Sequence, residues 1–386
     1  MTTANTIKKI KVIRTVTVAD AVPFHLRNTL KYTSHELETV IVGTDVESLS
    51  LQFPAVRFIN VNIMRKISLL NDLMALLQLV LIFAKEKPDV THSIMPKSGL
   101  LTAMAAFICR VPARIHTFTG QTWANEHGLK RCFFILLDKM ITHLNTNCLT
   151  DSKSQSEYLF MHGIRKNQSL LPVLGAGSLS GVDLEVFNLS ENNDNLEILR
   201  KKLNLTPDCF TYTFVGRKCK DKGTFELIEA FELLTDSHAR LILVGPDESG
   251  GQLEKRIQNN NKIINCPQTE VPQLYHRLAA VFCLPSYREG FGSTVIEAAA
   301  LGVPSIGTSI PGLSDSIVDG KTGILVPVKN SLKLSQAMNL LRTDSALLKT
   351  MSQTAFLHAT KNFDAKMLAQ NLIGFYKDQI KNQNKN

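Results

Sequence analysis

The sequence predicts an α/β protein of two doubly wound domains, each a parallel sheet with helices on both faces. Apolar runs rich in Val and Ile alternate with helix-period segments along nearly the whole of the 386 residues, and strands alternating with helices pair in parallel through crossover connections. The alternation comes as two series, one in each half. Between them lies GAGSLSGVDLEVFNLSENNDN (175–195), where Gly, Ser and Asn accumulate and the periodicity lapses, the composition of a linker or hinge.

In chain order the first series reads KVIRTVTV, ETVIVG, VRFINV, DVTHSI, RIHTF and NCLT as strands. The second reads FTYTFVG, ARLILVG, KIINC, AVFCLP and VPSIG, with amphipathic stretches such as GTFELIEAFELL between them. The most apolar window, LLNDLMALLQLVLIFAKEK (69–87), is interrupted by Asn71, Asp72 and Gln78. It falls short of the roughly 18 to 20 clean residues of a membrane span and reads as a buried helix. The expected domains are residues 1–188 and 189–365, with 366–386 forming a last helix and a polar tail, KDQIKNQNKN, that should fray.

A hydrophobic content of 44% is ordinary for a globular chain, and the length suits two cores. The seven cysteines (109, 132, 148, 209, 219, 266, 283) include no CxxC pair, so neither a zinc site nor a disulfide framework is indicated, and a reducing cytoplasm fits. The opening MTTANTIKKIKVIRTVTV lacks the apolar core and cleavage site of a signal peptide. The net charge is +9, and the first 188 residues carry 20 Lys and Arg against 14 Asp and Glu. That excess suits a phosphate-bearing ligand, an anionic membrane surface or simply a solvated basic face. With aromatics at 7% and the charges scattered, the chain does not read as a nucleic-acid binder.

Open parallel sheets hold ligands outside the carboxyl ends of their strands, so chemistry belongs in the turns that follow the apolar runs. FVGRKCKDKGTFELIEAF places Gly216, Arg217 and Lys222 between a strand and a helix start, a clamp for a diphosphate or else a solvated basic turn. SYREGFGSTVIEAAALG (286–302) follows Pro285 with a two-glycine turn and a helix ending at Gly302. Glu289 lies in the turn, suited to accept hydrogen bonds from sugar hydroxyls. Glu297 falls in the first helical turn, where it either meets a ligand or closes a Thr294-x-x-Glu297 capping box. Neither a Walker pattern nor a GxGxxG fingerprint occurs.

EGFGSTVIE resembles the E-x7-E element of the retaining glycosyltransferase family 4, and it follows LPSYR as that element does. FVGRKCKDKG, LILVGPDE, GVDLEVF, IPGLSDSIVDGKTGILVP, PKSGLLTAMAA and RIHTFTGQTWA agree in order and spacing, so the resemblance spans about residues 10 to 375. It implies the GT-B fold, two Rossmann-like domains facing a central cleft, with DAKMLAQNLIGFYKDQI crossing back to the first. It further implies an N-terminal acceptor domain and a C-terminal nucleotide-sugar domain. By the same resemblance Arg217 and Lys222 hold the donor diphosphate, Glu297 the ribose hydroxyls and Glu289 the donor sugar, while backbone amides of Gly290, Phe291, Gly292, Ser293 and Thr294 complete the phosphate cradle. His116, at the end of RIHTF, is expected to face the cleft and to act with Glu289 at the reaction centre. Arg65, Lys97, Lys130 and Arg131 are candidate acceptor contacts.

Two departures stand out: VADAVPFHL replaces the double-glycine turn after the first strand, and INCPQTEVPQLY lacks the glycine after the third strand of the second half. The resemblance is strongest to bacterial enzymes that build capsule, O-antigen or related surface polysaccharide. It implies metal-independent retaining transfer from a UDP-sugar, by family frequency, to a saccharide on a polyprenyl diphosphate, at the inner face of the cytoplasmic membrane, with no cofactor. A soluble small-molecule acceptor is one alternative. Another is a non-catalytic scaffold lying on anionic lipid through LKRCFFILLDKMITHL (129–144), a segment that also reads as an ordinary amphipathic helix.

Overall fold

The computed structural model describes residues 9–189 and 194–383. Its strands are β1 (Ile10–Val18), β2 (Leu37–Thr44), β3 (Arg57–Asn60), β4 (Val90–Ser93), β5 (Ala113–Phe118) and β6 (Asn147–Thr150). There follow β7 (Phe210–Val215), β8 (Ala239–Val244), β9 (Ile263–Cys266), β10 (Val281–Leu284), β11 (Ser305–Thr308) and β12 (Gly323–Val326). They form two six-stranded sheets, ordered β3-β2-β1-β4-β5-β6 and β12-β11-β10-β7-β8-β9, and all strand pairs are parallel. Counted from its own first strand, the second sheet repeats the order of the first. Each order reverses between the first and fourth strands, β1 and β4 in one sheet and β7 and β10 in the other, which sets a ligand-binding switch point at their carboxyl ends. The eleven strands expected from sequence are all present. The twelfth, GILV, is only four residues long and sits at the sheet edge beside β11.

The chain divides into two compact units, after Ser180 and again after Asp364. The first division lies inside the Gly- and Ser-rich stretch but ahead of residue 188. Residues past Ser180 are held by the second unit: Val182 N donates to Phe363 O at 2.7 Å, and Val182 and Phe187 enter its core. The helix Ala365–Gln383 returns to the first unit, where Leu372, Ile373 and Tyr376 pack with Val12, Val90 and Ile115. It stays helical through Gln383, further than a fraying tail allows; residues 384–386, like 190–193 of the expected linker, lie outside the described residues. All seven cysteines are free thiols.

The apolar window forms the helix Leu69–Glu86, but it is not buried on all sides. Ala75, Leu79 and Phe83, four apart, face the core, while Leu70, Leu73, Leu77 and Leu81 on the opposite side are each more than half exposed. Near-uniform apolar composition hid the 3.6-residue stripe that decides which face is covered. Helix Gly128–Leu144 behaves alike, with Phe133 and Leu136 exposed and Ile141 buried. No helix among the described residues is long and apolar enough to cross a membrane.

Candidate active site

The loops after β7 and β10 meet at the switch point of the second sheet. Gly223 makes this approach possible: its φ of 68° is left-handed, and a Cβ there would lie 2.0 Å from Pro285 O at the end of β10. Only glycine accepts both conditions. Tyr287 N then donates to Asp221 O at 2.9 Å, stitching the two loops together. The result brings Lys222 Nζ to 2.5 Å from Glu289 Oε1, an oxygen that also accepts from Ser286 Oγ at 2.6 Å. Lys222 and Glu289, 67 residues apart in sequence, thus share one mostly buried contact.

Gly292, at φ 83°, precedes the helix Ser293–Ala300 and serves as its N-cap without any side-chain cap bond. Thr294 is therefore inside the helix, and Glu297 stands in its second turn rather than its first. The capping-box reading of Glu297 fails on that geometry. Glu297 instead faces the helix Pro272–Leu278, with Oε2 3.9 Å from His276 Nε2. Phe291 is turned into the core edge-on to Phe363, so only its backbone can serve a ligand. A Cβ at Gly312 would lie 2.4 Å from Gly290 O, which shows how closely the loop after β11 backs the EGFG turn.

Arg217 is half exposed and pairs through Nη1 with Glu248 Oε2 at 2.6 Å, on the loop after β8. Sequence reading passed over its neighbour Lys218, which is buried. Lys218 Nζ donates to Asn265 Oδ1 at 2.6 Å and to Cys266 O at 2.8 Å, tying the β7 loop to β9, and burial lowers its pKa. Nothing in GRKCKDK distinguishes the cation that turns inward from those that stay at the surface. The alternation of backbone direction past β7 decides it.

In the first unit the expectation for His116 is corrected. It lies two residues inside the end of β5, only 2% exposed, with Nδ1 2.9 Å from Ser93 Oγ and its ring edge-on to Phe118 at 4.6 Å. Burial holds its pKa down at about 3, so it is a neutral packing residue here, not one presented at a site. The strand continues to Phe118 before turning, which sends residue 116 to the covered face. The four acceptor candidates are dispersed. Lys97 binds Asp72 at 2.6 Å, Lys130 binds Glu126 at 2.7 Å, and Arg131 stacks over Trp123 and reaches His162 Nε2 at 2.7 Å. Arg65 is exposed on the loop after β3.

An ammonium and a guanidinium beside several carboxylates, at a switch point, suit a ligand that carries both anionic groups and hydroxyls. The family described as Glycosyl transferases group 1 matches residues 195–358, nearly all of the unit that holds these side chains. The capsular polysaccharide biosynthesis glycosyltransferase CapM of Staphylococcus aureus is 29% identical over 381 residues, covering 97% of this chain and 98% of CapM. The chain belongs to the group 1 glycosyltransferases. A second relative of this glycosyltransferase, the UDP-Gal:alpha-D-GlcNAc-diphosphoundecaprenol alpha-1,3-galactosyltransferase of Escherichia coli, is 25% identical over 336 residues and 83% of each chain. Among solved structures, Anabaena HepE in complex with UDP and glucose superposes with a TM-score of 0.81 at 17% identity, over 96% of this chain and 100% of HepE. The two doubly wound sheets of the glycosyltransferase are those of the GT-B fold.

Proposed function

We propose that the protein transfers a sugar, with retention at the anomeric carbon, from a UDP-sugar to a saccharide carried on a polyprenyl diphosphate, in the assembly of a bacterial surface polysaccharide. The observation that carries this reading is the convergence of Lys222 and Glu289 at the switch point of the family-matched unit. Lys222 and Arg217 offset the charge that grows on the departing diphosphate, and the amides at the start of helix Ser293–Ala300 add a positive helix end. Glu289 holds the donor sugar and Glu297 the ribose hydroxyls. The acceptor hydroxyl attacks the anomeric carbon from the face that the diphosphate leaves. Its oxygen forms the new bond, the bond to the phosphate oxygen breaks, and the proton passes to that phosphate. With two cations placed at the leaving group, the step needs no bound metal. The uridine and the lipid diphosphate follow the Escherichia coli relative, which is named for both.

The test is calorimetric titration with UDP in the presence of a chelator, on wild type and on Arg217→Ala and Lys222→Ala. Loss of one charge-assisted contact costs about 1.5–3 kcal/mol, so affinity should fall about 10- to 100-fold in each variant. Unchanged affinity in both would sink the assignment.

Attachment to the inner face of the cytoplasmic membrane is supported by the exposed apolar side of helix Leu69–Glu86. Its leucines are flanked by Arg65 and Lys66 at one end and by Lys85 and Lys87 at the other. Its acids are already engaged, Asp72 by Lys97 and Glu86 by Arg57. An apolar stripe with a basic fringe lies well in an anionic bilayer interface. Flotation with vesicles containing anionic lipid should carry the wild type upward and leave Leu73→Glu/Leu77→Glu behind. Equal flotation of both, or of neither, would refute this surface.

A further inference from the structure

His276 is fully buried in the helix Pro272–Leu278, its ring edge-on to Phe282 at 5.1 Å and tilted against Phe187 at 6.3 Å. Neither ring nitrogen has a hydrogen-bond partner among the described residues. A hydrocarbon side chain would fill this apolar site without stranding two polar atoms, so the imidazole calls for a reason. One group of opposite character stands near it: Glu297 Oε2, 3.9 Å from Nε2. The separation would suit an ion pair if the ring were charged, but burial lowers its pKa to about 3, so the contact is that of a neutral N–H donor with a carboxylate. It lies about 0.7 Å beyond the usual range of an N–H···O bond, a distance that a rotation of the carboxylate closes.

We propose that His276 is the positioning residue for Glu297: its Nε2–H fixes one carboxylate oxygen, so that the carboxylate presents its remaining acceptor capacity to the two ribose hydroxyls of the donor. The inference rests on the reading of Glu297 as the ribose ligand. The hydrogen bond adds a rigidly held partner to a carboxylate whose side chain is 23% exposed. A bidentate contact to two hydroxyls needs one orientation, and a partner held rigidly by Phe282 and Phe187 supplies it. The helix carrying His276 leads directly into β10, and hence into the loop that carries Glu289, so one short segment sets both ends of the donor contact.

The experiment measures dissociation constants for UDP and GDP, and for the 2′,3′-dideoxy form of whichever binds better, on wild type and on Glu297→Ala, His276→Leu, His276→Asn and His276→Gln. The wild type should prefer the ribose form by about tenfold or more. Glu297→Ala should abolish the preference. His276→Leu and His276→Asn, which lack a donor at the Nε2 position, should reduce it to about threefold or less, and His276→Gln, whose amide N–H reaches there, should retain most of it. A merely structural histidine would weaken both ligands equally and leave the ratio intact. If Glu297→Ala loses the preference while both the Leu and Asn variants keep it, the positioning role is overturned and the ribose reading stands. If Glu297→Ala keeps it, or if neither nucleotide binds, the ribose reading itself falls and the inference goes with it. Should His276→Leu fail to fold, the comparison of Asn with Gln decides.

Discussion

Lys222 and Glu289 are joined across two loops by a 2.5 Å contact, and this ties the strength of diphosphate binding to the charge on Glu289. A diphosphate entering beside Lys222 must share its ammonium with the carboxylate and bear the repulsion between like charges. A unit charge about 5 Å away at an effective dielectric near 20 is worth about 3 kcal/mol before screening. Glu289→Gln should therefore bind UDP about tenfold more tightly while sugar transfer falls by about 100-fold or more, because the charge that holds the sugar is gone. Lys222→Ala should lower both. Binding that weakens in the Gln variant would show that Glu289 assists the diphosphate instead of competing with it.

His116 and Gly99 supply a prediction with a reversed sign. Gly99 lies inside the helix Pro96–Ile108, where alanine normally gains about 1 kcal/mol. Here an added Cβ would fall 2.5 Å from His116 Cε1 and 2.8 Å from its Nδ1. The ring cannot yield easily, being held by Ser93 Oγ at 2.9 Å and Phe118 at 4.6 Å. Overpacking of this kind costs about 1–3 kcal/mol. Gly99→Ala should lower the melting temperature, measured by scanning calorimetry; a rise would mean that the helix and sheet separate freely at this point.

The sheet architecture was legible because most of the strands lie in runs rich in Val and Ile, and eleven of the twelve were read that way; the missed one, GILV, is apolar but only four residues long. That Arg217, Lys222 and Glu289 lie in loops after strands was legible because such turns are marked by glycine and charge, whereas Glu297 falls one helical turn later than the sequence suggested. What escaped were facts of direction. Lys218 and Lys222 are equivalent in composition, and only the path of the loop sends one to Cys266 O and the other to Glu289. His116 was misplaced because a shift of two residues along β5 exchanges a strand end for a covered interior. The helix Leu69–Glu86 was taken as buried because apolar residues on all sides leave no polar face to reveal which side the core occupies.

Arg14 offers a test of buried charge. It is 4% exposed on β1, and its Nε and Nη2 have no hydrogen-bond partner among the described residues. Burial lowers its pKa, the sign of a guanidinium poorly compensated for lost water. It borders a cavity of about 20 Å³ lined also by His92, Thr117 and Leu372, room for about one water. Replacing such a charge with a hydrocarbon of similar length removes a desolvation cost that nothing repays in full. Arg14→Met should raise the melting temperature by about 2–4 °C, the shift that about 1 kcal/mol produces in a domain of this size. A fall would show that the guanidinium is satisfied in solution.

The buried histidines set the acid limit of stability. His116 and His276 have pKa values lowered to about 3 by burial, and His92 is held well below 6.5, chiefly by burial with help from the Arg14 charge. Between pH 6.5 and about 3 the unfolded chain takes up protons that the folded chain refuses. Stability is therefore fully present above pH 6.5 and is lost as the pH falls, by about 1.4 kcal/mol per unit for each histidine. Asp138 works in the opposite sense: burial raises its pKa to about 6, so the folded state takes a proton first and gains as the pH falls from 6 towards 4. The three histidines outweigh the single aspartate, so stability falls as the pH drops through 5. Urea unfolding at intervals from pH 7.5 to 5 should show that decline, and His276→Gln should make it shallower by about 1.4 kcal/mol per unit. A stability that is flat over this range would mean that the three rings reach solvent and titrate as they do in the unfolded chain.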